Sequence, residues 1–154
     1  MKSTQIFKKQ LINSDLNTVW DFMSSPNNLS KITPSKMNFK ITSGSKTKMY
    51  PGMIITYKVS PILGIPLNWM TEITHVKEKQ FFVDEQRMGP YKMWHHQHIF
   101  QETKNGILMK DIITYIPKFG IIGSLANMLF IKKEINEIFK FREEKIEEIF
   151  NKKT

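Results

Sequence analysis

The hydrophobic positions change their spacing three times along this chain, and each change marks a boundary between elements. Residues 4–12 read as a strand that runs into a turn at Asn13-Ser14. Ser14 is a suitable N-cap, and Leu16, Val19, Trp20 and Met23 follow at helical spacing. A short helix is therefore expected until Ser24-Ser25-Pro26 stops it, and residues 27–33 add one more turn before Pro34. The period then drops to two. Met37, Phe39 and Ile41 alternate with Asn38, Lys40 and Thr42, and Met53, Ile55, Tyr57 and Val59 alternate with Ile54, Thr56 and Lys58. Further strands are expected over about 67–77, 80–88, 91–103 and 107–116, separated by Lys77-Glu78-Lys79, Met88-Gly89-Pro90 and Asn105-Gly106. Asn-Gly between two alternating runs predicts a two-residue hairpin, because both residues tolerate positive φ. Pro117-Lys118-Phe119-Gly120 ends the sheet. From about residue 121 the spacing is helical again, with Leu125, Leu129, Ile135, Ile138, Phe139, Ile146, Ile149 and Phe150 on one stripe. Lys132, Lys133, Glu137, Glu144 and Glu148 fall largely off it.

Six consecutive strands with short connections argue for antiparallel meander pairing. The expectation is an α+β fold in which residues 1–154 form one domain, with a curved sheet of about seven strands wrapped on a long C-terminal helix. Such a layer pair leaves room for a ligand-sized cavity.

Composition adds exclusions. The chain has no cysteine, which removes disulfides, thiolate metal sites and a cysteine nucleophile. Its start, Met1-Lys2-Ser3-Thr4-Gln5-Ile6-Phe7-Lys8-Lys9, has no apolar run of the signal-peptide kind, and no stretch reaches the length that spans a bilayer. A cytoplasmic location without a transmembrane segment is expected. The net charge of +9 invites a nucleic-acid reading, but the lysines are scattered singly and arginine occurs only at Arg87 and Arg142. No nucleic-acid partner is expected, and self-association is expected to reach at most a weak homodimer.

Alternation assigns faces. Phe82, Asp84 and Gln86 share one, as do Trp94, His96, His98 and Phe100, and Met109, Asp111, Ile113 and Tyr115. Glu85, Arg87, His95, Gln97, Gln101, Lys110 and Thr114 take the opposite, solvated faces. The aromatic-bearing faces should meet the helix, which turns Asp84, Gln86, His96, His98 and Asp111 inward. A two-residue Asn105-Gly106 turn makes His98 and Asp111 diagonal neighbours, and a Gly89-Pro90-Tyr91 loop sets Asp84 opposite His96. Arg142 lies on the apolar stripe, where a buried charge requires a partner. Trp69, Trp94 and Tyr115 read as cavity walls. Met49, Met53, Met70, Met88, Met93 and Met109 suit an adaptable lining, or an ordinary core. Loops 49–52 and 61–66 carry apolar residues suited to a rim, a membrane surface or a partner.

Three readings of the inward polar set stay open. It is a satisfied network that fixes register, or the polar end of a cavity, or an acid–base centre in which Asp84 and Asp111 orient His96 and His98. His96-x-His98 also points two imidazoles one way, and Asp84 or Asp111 could complete a zinc site; the same carboxylates serve equally as imidazole partners, so no metal is expected. No phosphate loop or nucleotide fingerprint occurs, and no cofactor is expected.

A resemblance runs through Val19-Trp20-Asp21-Phe22, Asn28-Leu29, Ile32-Thr33-Pro34 and Phe82-Val83-Asp84-Glu85-Gln86. It continues in Gly89-Pro90-Tyr91, Trp94 through Phe100, Met109-Lys110-Asp111, Tyr115-Ile116-Pro117 and Ile138-Phe139-Lys140-Phe141-Arg142. In that order these segments resemble the START and birch-pollen-allergen superfamily of helix-grip proteins. Its bacterial polyketide cyclase/dehydrase-like or coenzyme Q-binding-like branch is the nearest in kind. The resemblance implies binding or transport of a small hydrophobic or amphipathic molecule in an internal cavity. The alternative is a cyclase, dehydratase or hydrolase acting on a polyketide-like or aromatic substrate there.

Overall fold

The computed structural model describes residues 3–44, 46–60, 64–118 and 130–151. Strand β1 (Thr4–Ile12) leads into helix α1 (Leu16–Met23) and two 3₁₀ turns, Pro26–Ile32 and Ser35–Met37. Six strands follow: β2 (Lys40–Ser43), β3 (Met53–Val59), β4 (Leu67–Lys77), β5 (Phe81–Met88), β6 (Tyr91–Thr103) and β7 (Gly106–Pro117). The last described helix, α2, spans Lys132–Phe150. The strands form one antiparallel sheet in the order β1-β7-β6-β5-β4-β3-β2, the expected meander with β1 returned against β7. The α+β helix-grip architecture expected from the sequence is the one observed.

Four local expectations change. Asp15, not Ser14, caps α1, its Oδ1 accepting from the Thr18 amide at 3.0 Å. The carboxylate is a stronger acceptor than a hydroxyl at a helix N-terminus. Met37 belongs to a 3₁₀ turn ended by left-handed Asn38, so β2 begins only at Lys40. Ile149 is exposed at 42%, and the buried stripe of α2 is Ile135, Phe139, Arg142 and Ile146. Met49, read as part of an exposed rim, is buried in the core, and its amide donates to the Ser24 carbonyl. Tyr50 and Ile65, by contrast, are exposed. The helical start expected from residue 121, with Leu125 and Leu129, and loop residues 61–63 lie outside the described residues.

The helix is tied down along its length. Lys36 pairs with Glu134 at 3.0 Å and Glu137 at 3.2 Å near its start. Gln10 Nε2 donates to the Glu143 carbonyl in the middle, and the Phe22 and Phe150 rings meet edge-on at 5.3 Å at the end. One apolar cluster, with Trp20, Phe82, Phe100, Met109 and Ile146, fills one half of the sheet–helix space. A second, with Trp69, Tyr91, Ile113, Tyr115, Ile135 and Phe139, fills the other.

The β6–β7 hairpin sets the register that matters most. Thr103 pairs with Gly106, so Lys104-Asn105 form the tip and Gly106, at φ +117°, follows it. This is the pattern of a turn followed by a positive-φ glycine, not the Asn-Gly tip expected. Gly106 is also pressed on β1, since a Cβ there would stand 2.3 Å from the Ile12 carbonyl oxygen. Gly106→Ala is expected to destabilise the protein by more than about 1 kcal/mol in urea denaturation, the combined result of a disfavoured φ and a backbone clash.

Candidate functional site

The two-residue shift in the β6–β7 register brings His98 directly opposite Asp111, where a diagonal relation was expected. On the other side of β6, Asp84 stands opposite His96, as the sequence register gave. Each histidine therefore sits between two carboxylates. His98 Nδ1 lies 3.0 Å from Asp111 Oδ1, and its Nε2 lies 2.9 Å from Asp84 Oδ2. His96 Nε2 lies 2.9 Å from the same Asp111 oxygen, and its Nδ1 is 3.5 Å from Asp84 Oδ2. The two imidazole rings lie 3.7 Å apart, tilted by 38°, and Phe82 stacks on His98 at 4.1 Å.

From the facing helix Arg142 reaches into this lattice, its Nη2 3.9 Å from Asp111 Oδ1. Its guanidinium lies over the Phe139 ring at 5.6 Å. His96, His98 and Asp111 are 3–4% exposed and Arg142 is 9%. These charges must balance, because an unpaired ion in such a place is strongly unfavourable.

Their titration shows how. Burial alone would raise both carboxyls, but the imidazoles and Arg142 outweigh it: Asp84 is held below the usual carboxylate range and Asp111 well below it. For His98, burial pulls downward and is outweighed by hydrogen bonds to Asp111 and Asp84, so the ring gains basicity. For His96, burial and the neighbouring His98 charge win over the Asp111 hydrogen bond, and its pKa falls to about 4. The two carboxyls are thus ionised beside the guanidinium and a neutral His96, with His98 the more basic of the two rings. His98 Nε2 donates to Asp84 and His96 Nε2 donates to Asp111. Arg142 Nη2 stands 3.3 Å from His98 Nδ1. That nitrogen therefore has two neighbours, the Arg142 guanidinium and Asp111 Oδ1 at 3.0 Å.

Beside this charged half lies an aromatic half. Trp69 meets Tyr57 at 5.8 Å, Tyr91 at 5.6 Å and Trp94 at 5.7 Å, and Trp94 meets Tyr115 at 6.1 Å. The three aromatics expected as walls are brought together, and Trp94 contacts His96 edge-on at 6.2 Å, joining the halves. Tyr91 and Tyr57 were not anticipated there. Tyr57 shared a face with Met53 and Ile55, a usable signal, but Tyr91 has the opposite parity to Trp94. A bulge between Tyr91 and Met93 shifts the alternation and turns Tyr91 inward.

Gln86 does not join either half. Its amide clamps the β5–β6 hairpin, Nε2 donating to the Tyr91 carbonyl at 2.8 Å and Oε1 accepting from the Tyr91 amide at 3.2 Å. Gly89 leaves the room for this clamp, since a Cβ there would meet Gln86 Oε1 at 2.4 Å. Two side-chain donors in the site have no partner among the described residues: Trp69 Nε1 and Arg142 Nε.

The recess beside Asp111 and Arg142, between Lys9, Gln10, Met109 and Phe139, holds about 20 Å³. That accommodates a water and not a ligand, so the ligand-sized cavity expected between sheet and last helix is not found at this point. A larger open groove of about 530 Å³ lies at the β5–β6 hairpin, bordered by Arg87, Met88, Tyr91, Lys92 and Lys118.

No family model matches the chain, and no curated protein matches it in sequence. Solved structures do match its fold. Protein CV1439 from Chromobacterium violaceum aligns with a TM-score of 0.74 at 8% identity, over 97% of this chain and 99% of that one. TTHA0849 from Thermus thermophilus aligns at 0.67 and 14% identity, over 93% and 97%. Major latex-like protein 151 from Panax ginseng aligns at 0.59 and 16% identity, over 88% and 96%. The near-complete coverage in both directions establishes the helix-grip fold for this chain.

Two outcomes follow from the charge balance. Arg142→Met should lower unfolding free energy by about 3–5 kcal/mol, because it leaves the buried Asp111 carboxylate without its guanidinium. Guanidinium chloride denaturation measures it. The second concerns pH. His96 has a folded pKa near 4, below an unfolded value of about 6.5, so its contribution is lost as pH falls from about 6.5 toward 4. His98 has a raised folded pKa, so its contribution is complete below about 6.5 and is lost as pH rises through the folded value. Stability should therefore peak near about pH 6.5 in buffer containing EDTA, and His96→Gln should flatten the acid arm only.

Proposed function

We propose that the protein binds or carries a small hydrophobic or amphipathic molecule, held by the aromatic half of the site and reached from the groove at the β5–β6 hairpin. The observation that carries this reading is the Trp69 indole N–H, a buried donor with no partner among the described residues, inside a cluster of four other aromatic rings. A buried unsatisfied donor costs about 1–3 kcal/mol, and a ligand oxygen that accepts from it recovers that cost. Tyr91 links the cluster to the groove, because it borders the groove and packs on Trp69 and Trp94. The helix-grip fold supports the same reading by analogy with its resemblance to ligand-binding relatives. At His98 binding is favoured over proton transfer because Asp84 engages its Nε2, and Arg142 and Asp111 crowd its Nδ1.

Trp69→Phe tests the reading. It removes the orphan donor while keeping a ring, so stability should stay within about 1 kcal/mol of the parent or rise. Affinity for a bound apolar probe, such as an anilinonaphthalene sulfonate dye followed by fluorescence, should fall about five- to tenfold, the usual worth of one hydrogen bond. Native mass spectrometry of the purified protein should also show a co-purified small molecule. No adduct and no saturable dye binding by the folded chain would overturn the proposal.

A further inference from the structure

We propose that Asp84, His96 and His98 form a binding site for a divalent first-row transition cation, with Asp111 as the outer carboxylate that orients both imidazoles. One donor atom from each of the three residues lies within 4.8 Å of the other two. The separations suit a common ion: Asp84 Oδ2 is 2.9 Å from His98 Nε2 and 3.5 Å from His96 Nδ1. Ligands about 2.1 Å from one metal stand roughly 3.0 Å apart at right angles and roughly 3.4 Å apart at the tetrahedral angle.

The outer contacts make this more than proximity. His96 uses Nε2 and His98 uses Nδ1 to reach the same Asp111 oxygen, at 2.9 Å and 3.0 Å. With those nitrogens beside Asp111, His96 Nδ1 and His98 Nε2, the remaining nitrogens, are turned toward Asp84. A carboxylate behind each ligating histidine is the arrangement that metal sites use to orient the ring and raise its basicity. Arg142, 3.9 Å from that oxygen, offsets the Asp111 charge.

Without an ion the arrangement has an unresolved contact. His96 Nδ1 and Asp84 Oδ2 stand 3.5 Å apart in a buried place with no hydrogen bond between them. A cation between the three atoms replaces the His98 Nε2 proton and satisfies all of them. Two imidazoles and one carboxylate are a donor set for zinc or ferrous iron, and three protein ligands leave a position for water or a small anion. Asp84, whose side chain is 17% exposed, is the side from which an ion would enter. The proposal does not depend on the ligand reading above.

The chain offers internal controls, because it has four histidines and the other two are elsewhere. His75 contacts Thr74 Oγ1, and His95 contacts Glu85. The full-length protein, stripped with EDTA and dialysed, would be titrated with Zn²⁺ against a chromophoric chelator, and with Co²⁺ by visible absorption. The expected result is one ion per chain, release of about one proton on binding, and a rise in Tm with zinc. Asp111→Asn should weaken binding by about 10–100-fold, the usual effect of an outer partner, and Asp84→Asn or His96→Gln by more. His75→Gln and His95→Gln should change nothing. Should the buried variants fail to fold, ¹⁵N shifts in the parent decide: zinc should move His96 Nδ1 and His98 Nε2 and leave His75 and His95 in place. Absence of stoichiometric binding by the parent, binding unaffected by Asp84→Asn, or zinc shifts confined to His75 and His95 would each overturn the proposal.

Discussion

Asp111 is a carboxylate that the interior would expel if it stood alone. It is 3% exposed, flanked on its own strand by Met109 and Ile113, and covered by a helix. What keeps it ionised is convergence: imidazole nitrogens of His96 and His98 at 2.9 and 3.0 Å and a guanidinium at 3.9 Å. That requirement reaches outward. A one-residue slip of β7 against β6 would point Asp111 at solvent and leave His96 and His98 unpaired, since successive side chains take opposite faces. A rotation of α2 would carry Arg142 out of range. The carboxylate thus ties strand register and helix azimuth to one another, and the Gly106 turn is the local device that makes its register possible.

Holding such a set is thermodynamically expensive. Apolar residues of similar volume often replace buried ion networks with no loss, or with a gain, of stability. Register alone could be set more cheaply, by bulges and by the Gln86 clamp that already fastens the β5–β6 hairpin. The half of the interior around Trp20, Phe82 and Phe100 shows that this fold packs well without charge. Two histidines, two aspartates and an arginine at one spot therefore argue for a task beyond packing.

The sequence carried the fold almost completely, because period-2 and period-3.6 patterns survive burial unchanged. It also carried the inward faces of β5, β6 and β7, so Asp84, His96, His98 and Asp111 were legible as a set. Their partners were not. Whether His98 faces Asp111 squarely or diagonally depends on which residues form a hairpin tip, and Asn105-Gly106 fits two turns that differ by two residues in register. Tyr91 was hidden for a related reason, since a bulge reverses parity without leaving a mark in composition. Gln86 shows the converse limit: alternation turned it inward, but a glutamine beside a turn finds backbone partners first. The division of protonation between His96 and His98 was beyond reach, for it depends on distances of a few tenths of an ångström.

The two halves of the site are coupled by geometry. Trp94, His96 and His98 follow one another on the inner face of β6, so the aromatic cluster and the charged lattice stand about 7 Å apart per step along one strand. Trp94 touches both, with Trp69 at 5.7 Å and His96 at 6.2 Å. A molecule lying on Trp69 and Trp94 would place its near end at His96, beside the imidazole that stays neutral and so keeps a lone pair available. A polar end that donates to His96 Nδ1, or that completes the coordination of the proposed ion, would meet the charged half there, while the rings accept the apolar body. Under the proposed binding function, the arrangement would favour amphipathic molecules of one polarity: apolar toward Trp69, polar toward His96. An entirely apolar ligand would leave that nitrogen facing Asp84, and an entirely polar one would be desolvated against five aromatic rings.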